Sequence, residues 1–320
     1  MTEETIEFTT DSIAHDHIVE QDDDLELYLA QIRKIFDIPR IIDAPQYKPQ
    51  VISYYLMNKL VYKFGYNWEG FLHCGISYDG TYKKDDVKED ARIVEQYIRK
   101  IDAKSVLELG CGLGPNSAFL ARRNPEVRFE AIDLSNKPLK RFTRIPNLHF
   151  YCGDYLDLSK FEDNAYDIAF IIEAFCYSKN KLRLLREVKK KLKTNGLFIF
   201  FDAYEANRAS PLSQSEDIMW KLVTKGMALD RFERINDVED SMRQEFSIVV
   251  SKDISACVLP SLERQEARSR FYFNHPIFAK AVYKILPLVI MQNFVVVLLL
   301  PTTLRRHVSC YYHHVLKNDG

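Results

Sequence analysis

The 320-residue sequence predicts a doubly wound α/β domain with a mostly parallel sheet covered by helices on both faces. Two observations predict it. Through the middle of the chain, short runs of β-forming apolar residues alternate with stretches of helical period, the order from which parallel sheets are built. The first of these strands enters its helix through a glycine-rich turn, the place where such sheets receive ligands. A composition of 47% hydrophobic and 28% charged residues is that of a globular protein able to bury a full core.

Strands are expected at 105–109, 128–133, 148–152, 167–172 and 197–202, each a compact apolar run. Two more, at 245–251 and 308–316, rest on β-formers such as Val308, Tyr311 and Val315 and bring the sheet to seven. Helices fit 90–101, 115–123 and 182–192. The last carries Lys189, Lys190, Lys191 and Lys193 near its negative end, with Gly196 closing it.

Ahead of this core, residues 1–24 form an acidic tail ending in Gln21-Asp22-Asp23-Asp24, of the kind that stays solvated. Helical spacing at 25–36 and 49–64 predicts two N-terminal helices joined by a turn at 39–45. A loop rich in glycine and aromatics follows at 65–86, with Tyr66, Trp68, His73 and Tyr78; with the helices before it, it makes a lid spanning 25–89. The main domain runs from 90 to 320 and carries a helical insertion at 255–306. That insertion is apolar from 278 to 300 but interrupted by Lys280, Lys284, Pro287, Gln292 and Asn293, and its clean run VVVLLL falls short of the ~20 residues a membrane span needs.

Several function classes are disfavoured. With 44 basic and 45 acidic residues the chain has no basic surplus to hold nucleic acid. Six scattered cysteines form no C-x-x-C pair and suggest neither a disulfide framework nor zinc. His313 and His314 are strand neighbours that face opposite sides, so they cannot chelate together, and no metal is expected. Met1 is followed by an acidic run instead of a secretory signal, so the expected location is the cytoplasm, with membrane association left to the insertion.

The segment VLELGCGLGPNSAFLARR (106–123) carries the chemistry. Gly110, Gly112 and Gly114 permit positive φ and let a ligand lie against the backbone, and Pro115 suits the first helical turn. The spacing G-x-G-x-G, with Glu108 two residues ahead, differs from the G-x-G-x-x-G that receives a pyrophosphate, which favours a cofactor without phosphates. Asp133 ends the second strand where a carboxylate accepts from ribose hydroxyls. Asp154, after the third strand, is placed to accept from an adenine amine, with Tyr155 or Cys152 against the ring.

Taken together, the E-x-G-x-G-x-G turn, the ribose acid, the Gly153-Asp154 pair and the L-K-x-x-G-x-x-x-x-x-D stretch at 192–202 resemble class I S-adenosylmethionine-dependent methyltransferases. The resemblance runs from about 90 to 204. It implies a Rossmann-like fold, S-adenosylmethionine as cofactor, and a cofactor site at Glu108, Gly110, Gly112, Gly114, Asp133, Asp154 and Glu173. The segment 166–196, with its I-E-A run and following helix, and FGYNWEGFLHCG at 64–75 are also similar to sterol side-chain and tocopherol methyltransferases. Departures are a missing proline at Lys193-Thr194-Asn195-Gly196, Tyr177-Ser178 in place of His-Ala, and Asn67 inside Gly-Trp.

Methyl transfer from a sulfonium asks a protein mainly to align the acceptor and exclude water. Glu173, directly after the fourth strand, is the first candidate for the acceptor side, either as a catalytic acid or as a structural carboxylate bonded to loop amides. His73 in the lid is a candidate base or a satisfied bystander, and Tyr177 either orients the acceptor or packs. The apolar insertion points to a small apolar acceptor: a terpenoid, sterol, quinone or lipid. It equally allows a cap on the sheet, contact with another subunit, or peripheral membrane contact through 277–300. The alternatives in function are N- or O-methylation of a polar small molecule, and a noncatalytic membrane-peripheral protein of the same fold.

Overall fold

The computed structural model describes residues 24–43, 69–134, 142–285 and 288–320. The tail at 1–23, the helix expected at 49–64, and Tyr66 and Trp68 of the lid lie outside the described residues.

Seven strands form one sheet: β1 (Ser105–Leu109), β2 (Arg128–Asp133), β3 (Leu148–Cys152), β4 (Tyr166–Ile172), β5 (Leu192–Glu205), β6 (Ser247–Asp253) and β7 (Ser309–Lys317). Their spatial order is β3-β2-β1-β4-β5-β7-β6. The first five are parallel, and β7 runs antiparallel between β5 and β6. The fold is therefore the doubly wound, mostly parallel sheet that the alternating pattern predicts. β1 is buried at all five positions, as a strand covered on both faces must be.

Alternate residues feed two layers. Val106, Phe129, Ile168, Phe170, Ile199 and Phe201 pack beneath the helices α3 (Glu89–Lys100), α4 (Pro115–Arg123) and α8 (Ser255–Phe273). Leu107, Leu109, Ile171, Phe198 and Phe200 pack on the other face against α5 (Lys181–Lys191) and α7 (Ile235–Arg243). A third apolar cluster joins α1 (Leu25–Arg33), α2 (Ile38–Ile42), α6 (Gln214–Gly226), α9 (Pro276–Ile285) and α10 (Leu288–Arg305).

The structure corrects three local readings. The turn expected at 39–45 begins inside α2, because Asp37 caps it by accepting from the Arg40 amide and Pro39 sits in the first turn, where its missing N–H costs nothing. Gly196 does not close α5: that helix ends at Lys191 and passes straight into β5, which contains Gly196. There a Cβ would stand 2.8 Å from the Lys193 carbonyl oxygen. Two helices, α6 and α7, occupy a region that the periodicity reading leaves blank, and α6 opens on a Ser213–Glu216 capping box.

In the insertion, the structure bears out the buried-cap alternative over part of the apolar run. Its helices α8 to α10 fill 255–305, but Val295, Val296, Leu298 and Leu299 of the apolar run are buried, most of them in the third cluster. That part of 277–300 faces the protein's own core. No helix among the described residues is long and apolar enough to cross a membrane. α10 crosses α6 closely at Gly226, where a Cβ would lie 2.2 Å from Val296 Cγ2.

Candidate active site

The turn after β1 has all three of its glycines at positive φ: +65° at Gly110, +57° at Gly112 and +81° at Gly114. Their surroundings differ. A Cβ on Gly110 would meet Ala174 Cβ at 2.7 Å, and one on Gly114 would meet the Phe150 ring at 2.4 Å, so at these two positions the protein's own side chains use the missing volume. At Gly112 the nearest atom would be Leu72 Cδ1 at an ordinary 3.7 Å. Open space in the direction of the missing Cβ is thus greatest at Gly112.

Asp133, the last residue of β2, accepts the Gly112 N–H on Oδ2 at 2.9 Å. The bond fixes one carboxylate oxygen and orients the other. Asp154 is exposed beyond β3 and accepts from the Leu156 amide at 2.9 Å, a turn that fixes its side chain in place. Tyr155 spans the gap: its ring edge lies beside Gly110 and its hydroxyl donates to the Ala174 carbonyl at 2.8 Å. Cys152 is exposed at the same sheet edge.

Glu108 has a different place. It is 2% exposed, and its carboxylate accepts both the amide and the hydroxyl of Ser117 in the first turn of α4. Burial pushes its pKa up to about 7 against the Ser117 and Asn116 hydrogen bonds that favour the anion. Through Oε2 the residue caps the first turn of α4 from behind the glycine turn.

Glu173 follows β4 with a φ of +47° and donates its backbone N–H to the Phe201 carbonyl at 2.8 Å. Its Oε1 accepts the Cys74 amide at 2.7 Å and the Tyr311 hydroxyl at 3.0 Å. Burial raises its pKa, partly offset by the nearby His73 charge. Tyr311 comes from β7, which its antiparallel pairing with β5 brings alongside. Burial and then Glu173 push its hydroxyl well above the ordinary value, so it keeps its proton and donates.

His73 is buried, with Nδ1 3.0 Å from the Cys74 carbonyl and 3.3 Å from Asp90 Oδ2, and Nε2 3.2 Å from Asn116 Oδ1. Acceptors therefore face both ring nitrogens. Burial alone lowers its pKa, but the Asp90 charge and hydrogen bond, then Glu173 and the Cys74 carbonyl, reverse this and hold it at about 9. These surroundings favour the charged ring at neutral pH, which accords with the satisfied-histidine alternative of the sequence reading. Asp90 is 0% exposed, and its oxygens have no hydrogen-bond donor among the described residues beyond this ion pair.

Tyr177 sits in a short 3-10 turn, Phe175–Tyr177, and packs against the third apolar cluster, the packing alternative of the sequence reading. The stretch 73–77 is pinned on several sides: by Glu173, by the Ser261 hydroxyl to the Gly75 amide, and by the Cys257 carbonyl to the Ser77 amide. Sequence reasoning missed Asp90, Asn116, Tyr311 and Asp202. Asp202 is buried in β5 and accepts from the Cys176 and Ala203 amides at 2.9 and 2.8 Å. Asp202 had a signal, as the last residue of the L-K-x-x-G-x-x-x-x-x-D stretch, and Tyr311 stands near a strand end; Asp90 and Asn116 lie on helices with none.

Known proteins resemble this chain in sequence and in fold. Residues 107–200 match the family described as "Methyltransferase domain". The 24-methylenesterol C-methyltransferase 2 of Arabidopsis thaliana is 22% identical over 237 residues, 71% of this chain and 64% of that protein. The phthiotriol/phenolphthiotriol dimycocerosates methyltransferase of Mycobacterium tuberculosis is 33% identical over 127 residues, 36% of this chain and 46% of that protein. The chain thus spans less than two thirds of either relative. The solved structure of the cyclopropane synthase MmaA2 from Mycobacterium tuberculosis superposes with a TM-score of 0.66 at 14% identity, covering 86% of this chain and all of that one. Residues 107–200 thus match a methyltransferase domain, and the chain is similar in sequence to sterol-type and mycocerosate methyltransferases and in fold to solved methyltransferase structures.

Proposed function

We propose that the protein transfers the methyl group of S-adenosylmethionine to a small apolar acceptor of terpenoid, sterol, quinone or lipid type. The observation that carries this reading is the Gly112–Asp133 pair: a side-chain-free amide with room above it, held by a carboxylate at the adjacent strand tip. The fit to the cofactor rests on the same atoms. Gly112 leaves space against the backbone, Asp133 offers the sugar an oriented acceptor, and Asp154 with Tyr155 offers the base an acceptor and an aromatic face. When bound, the cofactor supplies an electrophilic methyl on a positively charged sulfur.

The chain's own residues supply the rest. Asp90, Glu173 and Asp202 are close enough to perturb one another's surroundings, with the His73 cation facing two of them, which leaves an anionic surplus beside the glycine turn. Such a corner favours positive charge, whether on the sulfur or developing on an alkene acceptor. Glu173 holds hydrogen bonds from Cys74 and Tyr311 on Oε1; its raised pKa suits Oε2 to take the proton an acceptor must lose. The sterol-type and mycocerosate relatives support an apolar acceptor.

The test is incubation with methyl-labelled S-adenosylmethionine and fractionated lipid and polar extracts, with calorimetric titration of the cofactor alongside. Label in a lipid fraction, lost in Asp133→Ala together with most cofactor affinity, is the expected outcome. Label confined to polar amines or alcohols would overturn the acceptor class, and unchanged cofactor binding in Asp133→Ala would overturn the site.

A further inference from the structure

We infer that the corner between α8 and α9 docks the protein onto an anionic lipid surface. The three most exposed large apolar side chains among the described residues all lie within this corner: Ile277 at 87%, Phe271 at 64% and Phe278 at 56%. Scattered exposed apolar residues need no explanation, but three on one convex turn do. The turn is firmly built. Tyr272 is buried and its hydroxyl donates to the Ala279 carbonyl across the two helices at 2.8 Å, while the Phe271 ring lies 4.6 Å from that of His275. The apolar tips therefore stand outward because their neighbours are anchored inward.

Charge identifies the occupant. From 267 to 318 the chain contains no aspartate or glutamate and seven lysines and arginines, whereas the rest of the protein carries an acidic surplus. Four of these cations, Arg268, Arg270, Lys280 and Lys284, are exposed on the same two helices as the apolar tips. On α9 the exposed positions Ile277, Lys280, Ala281 and Lys284 follow i, i+3, i+4, i+7 and so form one face. Apolar wedges bordered by cations match a bilayer with anionic headgroups: the wedges enter the acyl boundary and the cations meet phosphates. A second copy is a poor partner, since an isologous contact sets each cation against its own kind.

The inference does not depend on the reaction, and lipid binding is read without any methyl transfer. The full chain is floated with vesicles of phosphatidylcholine alone and of phosphatidylcholine containing phosphatidylglycerol. Binding is expected only to the second, falling steeply with added salt. Lys280→Glu/Lys284→Glu is expected to weaken it by about tenfold or more, at roughly 1 kcal/mol per cation lost near the surface. Ile277→Glu/Phe278→Glu should do the same at unchanged cofactor affinity, which also shows that the variant folds. Absence of binding by the unaltered protein, equal binding to both vesicles, or variants that bind as well as it does would each overturn the inference. So would a dimer in sedimentation velocity that Ile277→Glu abolishes. Failure of the cofactor titration with intact flotation would count against the proposed reaction alone.

Discussion

Separating the His73–Asp90 pair should expose how much of the fold's stability passes through one buried charge. His73 is held at about 9 from an ordinary 6.5, a difference of roughly 2.5 pH units or about 3 kcal/mol. Because the folded-state value is the higher one, this stabilisation is full below about pH 6.5, declines as the pH rises, and is gone above about pH 9. His73→Leu leaves Asp90 buried at 0% exposure with no counter-charge, and should cost about 3–5 kcal/mol in urea unfolding at pH 7. Asp90→Leu should cost a similar amount, while His73→Leu/Asp90→Leu should recover a large part of either loss, as removal of both partners leaves no orphan charge. The pH dependence of the unaltered protein, less that of the double variant, should fall across pH 6.5–9. A flat difference over that window, or a His73→Leu cost below about 1 kcal/mol, would refute the view that the ring is a buried cation.

Tyr311→Phe removes a hydroxyl that donates to Glu173, so it should cost about 1 kcal/mol of stability and lower methyl transfer with cofactor affinity kept. Losing a donor to the carboxylate raises the pKa of Glu173 further, and the acid limb of the pH–rate profile should move to higher pH. Gly226→Ala puts a methyl group 2.2 Å from Val296 Cγ2 and should destabilise by about 1–3 kcal/mol, read as a shift in urea midpoint; Val296→Ala in the same chain should restore much of it.

The centre of the parallel half was legible because strands such as β1 are buried on both faces and read as continuous apolar runs; the predicted edges agree within a residue at β1, β2 and β3. The helices at 214–226 and 235–243 escaped a reading centred on strand alternation, although Ser213-x-x-Glu216 marks the start of the first. In the site, the glycine turn and the acid at 133 were legible since local chain geometry alone puts them at strand tips. The partners of Glu173 were not. Cys74 and Tyr311 stand 99 and 138 residues from it, and only the sheet order brings them together. The bond from Ser117 to Glu108 was not legible for the converse reason: a motif gives a residue's position but not the neighbour that its side chain meets.

The place of β7 bears on how the molecule is made. The latest strand in sequence is not at a margin but between two earlier ones, and residues 254–308 must be synthesised after β6 before it emerges. At about 5–20 residues per second, that leaves β5 and β6 without their shared neighbour for roughly three to eleven seconds on the ribosome. During that interval the phenylalanine-rich border of β5 is an open template for foreign strands, so nascent chains of this protein should lean on chaperones at that stage more than at any other.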